Sequence, residues 1–229
     1  MGGAEAAERC NAPALGVASN ADVDPRWLVH AGDDLLVLAK PSGLLSQPGL
    51  GPELADSLIS RVQRRWPAAA LVHRLDRDTS GLVLVALDAA LHRALSGLFA
   101  QRQVHKRYLA VVHGCVSEPA GSIQLAIAKR QHRPPLYGPD PGGKPCRTDW
   151  HRLVAGADGT SSRLELIPHT GRSHQLRVHL SAIGHPILGD PLYGPRPGPG
   201  LRLHLHASDL MFRHPGSGQT LSFHAPCPF

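Results

Sequence analysis

The residues best suited to chemistry crowd into two stretches. "HRLDRDTSG" (73–81) sets Arg74, Asp76, Arg77 and Asp78 between apolar runs at Leu71-Val72 and at 82–86. The apolar runs read as strands, which leaves the four charges on the turn that joins them. Asp76 follows the first apolar segment and belongs where the strand leaves the core; a carboxylate partly buried there needs a cationic or hydrogen-bonding partner to stay ionised. Asp78, Thr79 and Ser80 carry a blander reading, a turn stabilised by short polar side chains ahead of a buried strand. The second stretch, "PHTGRSHQLRVHLSAIGHPILGDPLYG" (168–194), spaces Leu176, Leu180 and Ile183 along one helical face with Arg177 off it, so polar residues again crowd a helix start.

Three better-known chemistries fit poorly. "DTSG" (78–81) has no second copy and no glycine directly after the first hydroxyl residue, both of which a pair of aspartates sharing a proton would need. "GPDPGGKP" (138–145) nearly spells a phosphate loop, yet Pro139 and Pro141 remove backbone donors and Pro145 stands where a magnesium-binding hydroxyl belongs. Fifteen histidines invite a metal: His204 and His206 point to one face of a strand, and His169, His174, His179 and His185 recur in the second stretch. The chain carries neither H-E-x-x-H nor C-x-x-C, and the histidines read as surface or RNA-facing imidazoles rather than ligands.

The elements that hold these stretches follow from apolar spacing. "DDLLVLAKPSGLL" (33–45) gives a strand ending at Lys40-Pro41 and a turn at Ser42-Gly43. Leu54, Leu58 and Val62 give a helix within 52–66 that also carries Arg61, Arg64 and Arg65. Asp88 caps a second helix with Leu91, Leu95, Leu98 and Phe99 on one face; Gly97 weakens it by about 1 kcal/mol relative to Ala, and it stops near Arg102. Strands at 107–114 and 121–128 flank a turn, and 129–145 is a loop crowded with Pro, Gly and basic groups. A hairpin from "RTDWHRLVA" and "SRLELIP" and closing strands within 201–212 and 219–226 complete the pattern. Short strands without regular βα alternation predict an α+β fold built on a mainly antiparallel sheet.

A chain of 229 residues, 42% hydrophobic, can bury a sizeable core. Lys and Arg number 24 against 18 Asp and Glu, and the formal charge of +6 favours an anionic partner without deciding between RNA, DNA and a membrane surface. Cys10, Cys115, Cys146 and Cys227 are scattered and read as reduced thiols. No long apolar run is present, and "MGGAEAAERC" lacks the charged start and apolar stretch of a secretory signal. The expectation is a cytoplasmic protein in which residues 1–24 form a poorly ordered lead-in.

"HRLDRDTSG" (73–81), "GRSHQLRVHL" (171–180) and "HPILGDPLYG" (185–194) together resemble the RluA family of pseudouridine synthases. "KPSGLLSQPG" (40–49) and "KRYLAVVHG" (106–114) fall in that family's order, so the resemblance spans about residues 27–226. The family isomerises uridine within RNA, detaching the base from C1′ through N1 and rejoining it through C5. The resemblance implies a pseudouridine synthase fold over 25–229: α+β, a mainly antiparallel mixed sheet with flanking helices and loops around a central catalytic cleft. It makes Asp76 the catalytic carboxylate, free to attack C1′, stabilise its charge or remove a sugar proton. Arg177 becomes the partner of Asp76, and Tyr108 the active-site tyrosine, packing on the flipped uracil with its hydroxyl placed for proton handling. Arg74 matches the arginine that enters the RNA where the target base has left, a role that requires base flipping. Arg172 and His174 match further motif positions, with RNA-backbone binding and loop support open for each.

Two departures shift the expectation. Ala39 stands where the family commonly has Asn before Lys-Pro, and too few residues precede Trp27 for the small N-terminal RNA-binding domain that many members carry. Selectivity then falls to the catalytic domain, with Arg61, Arg64, Arg65, Lys129, Arg130 and Arg133 as RNA-binding candidates, although any one of them reads equally as solvated surface. The resemblance implies a stand-alone, monomeric enzyme acting on structured RNA, rRNA and/or a tRNA stem-loop, without cofactor, metal or membrane. The rival reading is an RNA-binding or RNA-folding-assistance protein that keeps the fold without essential catalysis.

Overall fold

The computed structural model describes residues 23–132, 135–156 and 159–229, so the expected lead-in, save Val23 and Asp24, and Arg133 lie outside the described residues. In chain order the elements are β1 (Leu28–Ala31), β2 (Leu35–Lys40), α1 (Leu58–Gln63), β3 (Ala70–Leu71), β4 (Ser80–Ala86), α2 (Ala89–Ala100), β5 (His105–His113), β6 (Ala120–Ile123), β7 (Ile127–His132), β8 (Pro135–Pro139), β9 (Thr148–Ala155), β10 (Ser161–Pro168), α3 (Gln175–Ala182), β11 (Leu205–Arg213) and β12 (Thr220–His224), with short 3-10 turns at Pro25–Trp27 and Pro52–Leu54. The α+β class with antiparallel sheet is as the sequence predicts. None of the helices among the described residues is long and apolar enough to cross a membrane. The chain divides into two compact units, one of residues up to Leu75 with Gly81–His105 and Asp209–Ala225, the other of Asp76–Ser80, Lys106–Ser208 and Pro226–Phe229.

In the first unit β2 pairs antiparallel with both β1 and β4, and all seven residues of β4 are buried. That burial is why "GLVLVA" reads as an unbroken apolar run rather than an alternating one. Lys40 closes β2 from inside, its Nζ donating to the carbonyls of Pro41 (2.8 Å) and Leu44 (2.7 Å). α2 starts where Asp88 accepts from the N–H groups of Ala90 and Leu91, each at 2.8 Å, and it buries Leu91 and Leu95 in a cluster with Leu35, Val37, Leu84 and Phe212. Each fully buried leucine there contributes about 2 kcal/mol by leaving water. α1 is shorter than the spacing predicts. Ser57 caps it by a reciprocal pair of bonds with Ser60, and Pro52–Leu54 make a separate 3-10 turn.

The second unit carries the antiparallel strand order β5-β10-β9-β6 and a separate β7–β8 hairpin. Along β10 burial alternates strictly, and Leu164 and Leu166 pack with Ala110, Val112, Leu176 and Leu180. Two expectations are corrected. The predicted strand 121–128 is broken: β6 ends at Ile123 on β9, and β7 begins at Ile127 with a new partner. The predicted loop 129–145 contains β8, which its prolines obscured; Pro135 and Pro139 occupy the two ends of an edge strand, where a missing donor costs little. α3 also departs from the one-sided helix expected, because Gln175, Leu176, Arg177, Val178, His179 and Leu180 are all buried.

Candidate active site

The turn between β3 and β4 is closed by the Thr79 N–H donating to the Asp76 carbonyl at 3.2 Å. Arg77 pairs with its neighbour Asp78 at 3.2 Å, while Ser80 Oγ meets two partners distant in sequence, lying 2.8 Å from His206 Nδ1 and accepting from Arg202 Nη2 at 2.5 Å. Asp76 differs. Its side chain is 27% exposed and faces α3, where Arg177 Nη1 donates to Oδ2 at 3.2 Å.

Most of the Arg177 fork is committed elsewhere. Nε and Nη2 donate to the two oxygens of Asp190 at 2.8 and 2.7 Å, and the two side chains are 3% and 0% exposed. This bidentate geometry is the form in which two buried opposite charges compensate each other. Asp190 Oδ1 also accepts from the N–H groups of Leu192 (2.9 Å) and Tyr193 (3.2 Å). Gly189 makes the turn possible: at φ +71° its backbone presses on the Arg202 carbonyl, which a Cβ would strike. Burial works against the Arg177 charge, but the hydrogen bonds and charge of Asp190, with smaller contributions from Asp76, outweigh it and raise the guanidinium pKa. Asp190 balances the arginine, so Asp76 meets a pair with no net charge and one directional N–H.

Tyr108 lies on β5 opposite Leu166 of β10, and burial, followed by the nearby Asp76 charge, raises its phenol pKa. Its chemistry is that of a neutral ring and a hydroxyl. His174 precedes α3 with a left-handed backbone, φ 56°, and makes no side-chain cap. That conformation costs a non-glycine residue roughly 1–2 kcal/mol and persists only where the surroundings hold it. The ring is 11% exposed, with Nδ1 2.7 Å from Tyr193 Oη and Nε2 3.8 Å from Asp76 Oδ2.

Beneath these groups α3 is bolted to the sheet by polar side chains. Gln175 uses its whole amide, accepting at Oε1 from Thr170 Oγ1 (2.7 Å) and the Arg172 N–H (3.1 Å), and donating from Nε2 to the Arg147 carbonyl (3.0 Å) and Thr148 Oγ1 (3.1 Å). His179, one turn on, lies 3.1 Å from the Leu125 carbonyl through Nε2 and 3.0 Å from Thr148 Oγ1 through Nδ1. A carbonyl only accepts, so Nε2 carries the proton and Thr148 donates to Nδ1. Burial lowers the His179 pKa, partly opposed by the Leu125 bond.

Asp76, Tyr108, Arg177 and His174, spread over about a hundred residues of sequence, thus belong to one unit. Arg74 and Arg172 are exposed, as are Arg64, Arg65 and Lys129. Arg61 forms a bidentate pair with Asp56 (2.8 and 2.6 Å), and Arg130 pairs with Asp140 at 3.0 Å. The histidines disperse to separate partners, His169 to Asp149 and His185 to the His113 carbonyl, and no group of three potential metal ligands converges among the described residues. Within "HPILGDPLYG" neither Asp190 nor Tyr193 carries a role that its residue type alone announces. A signal was present: a lone Asp between Gly and Pro in an apolar run, close in sequence to an arginine that needed neutralising.

Comparison with known proteins identifies the family. A family model described as RNA pseudouridylate synthase matches residues 34–182. The chain is 43% identical over 205 residues to the dual-specificity RNA pseudouridine synthase RluA of Pasteurella multocida (strain Pm70), covering 88% of this chain and 93% of that protein. It is 44% identical over 208 residues to the protein of the same name from Escherichia coli (strain K12), covering 89% and 94%. Among solved structures, human RNA pseudouridylate synthase domain containing 1 superposes with a TM-score of 0.73 at 32% identity, covering 88% of this chain and 83% of that one. The fold, the motif residues gathered around Asp76 and these relatives place the chain in the RNA pseudouridine synthase family, isomerases that act on uridine in RNA.

Proposed function

We propose that this protein isomerises particular uridines in structured RNA, ribosomal or transfer, with Asp76 as the catalytic carboxylate acting on a base flipped out of the stack. The observation that carries the reading is the turn carboxylate held by Arg177, itself locked by Asp190. The reaction breaks C1′–N1 and forms C1′–C5; C5 loses a proton, N1 gains one, and no oxidant or reductant is consumed. Attack on C1′, stabilisation of its charge and removal of a sugar proton all call for an oriented carboxylate beside the sugar, which one N–H from a charge-balanced pair supplies. Tyr108, partly buried and with its phenol pKa raised, offers the uracil a ring to pack on and a hydroxyl to hydrogen-bond. Arg74, exposed and two residues before Asp76, fits the vacancy left by the base, because C1′ is inaccessible in a stacked helix.

The exposed Arg64, Arg65, Lys129 and Arg172 suit contacts to the RNA backbone, which position without reading sequence. Relatives named for dual specificity support more than one RNA substrate. A cytoplasmic, monomeric enzyme working without cofactor or metal completes the reading. The test is site-resolved pseudouridine mapping, by carbodiimide labelling and primer extension, on unmodified rRNA and tRNA incubated with wild-type or Asp76→Asn protein. A stop at a defined uridine with wild type alone is expected. Stops with both proteins would remove Asp76 from its role, and none with either would favour the RNA-binding alternative.

A further inference from the structure

We propose that His174 and Tyr193 are positioning residues that present a fixed N–H donor to Asp76, an inference that rests on Asp76 being the catalytic carboxylate. Among the described residues Tyr193 Oη has two hydrogen-bonding neighbours. The Tyr137 backbone N–H donates to it at 3.0 Å, and His174 Nδ1 lies 2.7 Å away. A phenol oxygen carries one proton, which needs an acceptor, and a backbone N–H cannot be one. The Tyr193 proton therefore points at His174 Nδ1, and an accepting Nδ1 leaves the ring proton on Nε2, the atom 3.8 Å from Asp76 Oδ2. The wiring has one direction: Tyr137 N–H to Tyr193, Tyr193 O–H to His174, His174 Nε2–H toward Asp76. At 3.8 Å the last contact exceeds hydrogen-bond length, and catalytic contacts commonly tighten as substrate closes a site.

Two further observations support the assignment. The His174 ring is gripped edge-on by Tyr137 (centroids 5.1 Å) and Tyr193 (5.6 Å), while its backbone is held in the left-handed region that disfavours histidine. The Arg177 guanidinium lies over the Tyr193 ring at 5.1 Å, so one tyrosine braces both groups that approach Asp76. In this tautomer His174 has no lone pair facing Asp76. It is a donor that orients the carboxylate and takes no proton from the substrate. The backbone donor Tyr137 belongs to β8 of the hairpin that carries Lys129 and Arg130, so the hairpin's placement helps set the hydrogen bonding of the site.

The experiment uses full-length protein labelled with 15N-histidine. Long-range proton–nitrogen correlation at neutral pH is expected to show His174 protonated at Nε2, and the Tyr193→Phe variant, which keeps the ring over Arg177, to show mixed tautomers. In single-turnover assays on the mapped RNA, Tyr193→Phe should slow pseudouridine formation about 10-fold with RNA affinity within about 2-fold, a loss confined to the chemical step. His174→Gln, whose amide N–H stands near the position of Nε2–H, should stay within about 5-fold of wild type, while His174→Leu falls about 100-fold. An Nδ1-protonated or doubly protonated His174 in the wild type, or equal losses in the Gln and Leu variants, would overturn the proposal. An active Asp76→Asn protein would instead defeat the catalytic reading while leaving the tautomer result standing, so the two failures are distinguishable.

Discussion

Helices α2 and α3 solve opposite problems. Apart from Gly97 in its interior, α2 obeys the local rules: an aspartate cap, a buried stripe of Leu91 and Leu95, and exposed residues on the other side. α3 breaks them. It starts from a left-handed histidine with no side-chain cap, and it buries Gln175, Arg177 and His179 along with its leucines. The burial is affordable only because each polar group has partners: Gln175 on Thr148, Thr170 and Arg147, His179 on Thr148 and Leu125, Arg177 on Asp190 and Asp76. α2 exists to close a core. α3 sacrifices local preference to hold a charge at a chosen point, the pattern expected where function overrides folding.

The comparison breaks most visibly at Asp190. Asp190→Asn leaves Arg177 buried with a single carboxylate neighbour, and removing one partner of a buried pair costs about 3–5 kcal/mol. Denaturant unfolding should show that loss, and pseudouridine formation should fall at least about 100-fold because the guanidinium no longer holds its angle toward Asp76. Adding Arg177→Met to Asp190→Asn removes the stranded charge as well; the double variant should recover much of the stability and none of the activity. In α2 the matching experiment is Leu95→Ala, expected to cost about 2–5 kcal/mol through the cavity it leaves. Its activity per folded molecule should equal that of wild type. A Leu95→Ala protein that folds yet turns over slowly would erase the distinction between the two helices.

The same contrast explains what was legible in the sequence. Spacing and a capping aspartate set the limits of α2 almost to the residue, and the hairpin of "RTDWHRLVA" and "SRLELIP" is β9 and β10. α3 is legible as a helix, but the burial of Gln175, Arg177 and His179 is not, since it depends on partners as far as 101 residues away and leaves no local period. β8 was hidden for a related reason: its prolines argue against a strand unless an edge is known to run there. Asp76, Arg177 and Tyr108 came from motif resemblance. The hydrogen-bond direction through Tyr193 and the charge balance at Asp190 needed coordinates, because both are properties of distances.

A pH series sharpens the comparison at intermediate size. His179 is neutral and fully buried in α3, and burial lowers its pKa. The unfolded chain takes up a proton near its ordinary value of about 6.5, which the folded chain resists, so the contribution to stability is complete above that value and is lost as pH falls below it. The slope approaches about 1.4 kcal/mol per pH unit for one proton. His30 and His204 shift in the same direction through burial and add to the trend. Chemical denaturation between neutral and mildly acidic pH should therefore show a decline that is shallower in His179→Asn, whereas an unchanged slope would mean that α3 tolerates a charged imidazole.

The smallest effects on stability lie at the two helix starts, and there the helices should differ in kind. Asp88→Ala deletes the acceptor for two N–H groups and should cost about 1 kcal/mol, with activity unchanged. His174→Gly removes a residue from a backbone angle that glycine adopts freely, which recovers roughly 1 kcal/mol and offsets the contacts the ring makes. Stability should stay within about 1 kcal/mol of wild type while pseudouridine formation collapses, because nothing then faces Asp76 from that side. Melting and single-turnover measurements on the two variants decide the matter together. A cap whose loss is felt only in melting belongs to the fold, and one whose loss is felt only in turnover belongs to the site. If His174→Gly melts several kcal/mol lower and keeps its activity, the histidine is a structural plug and the contrast between the helices is one of packing alone.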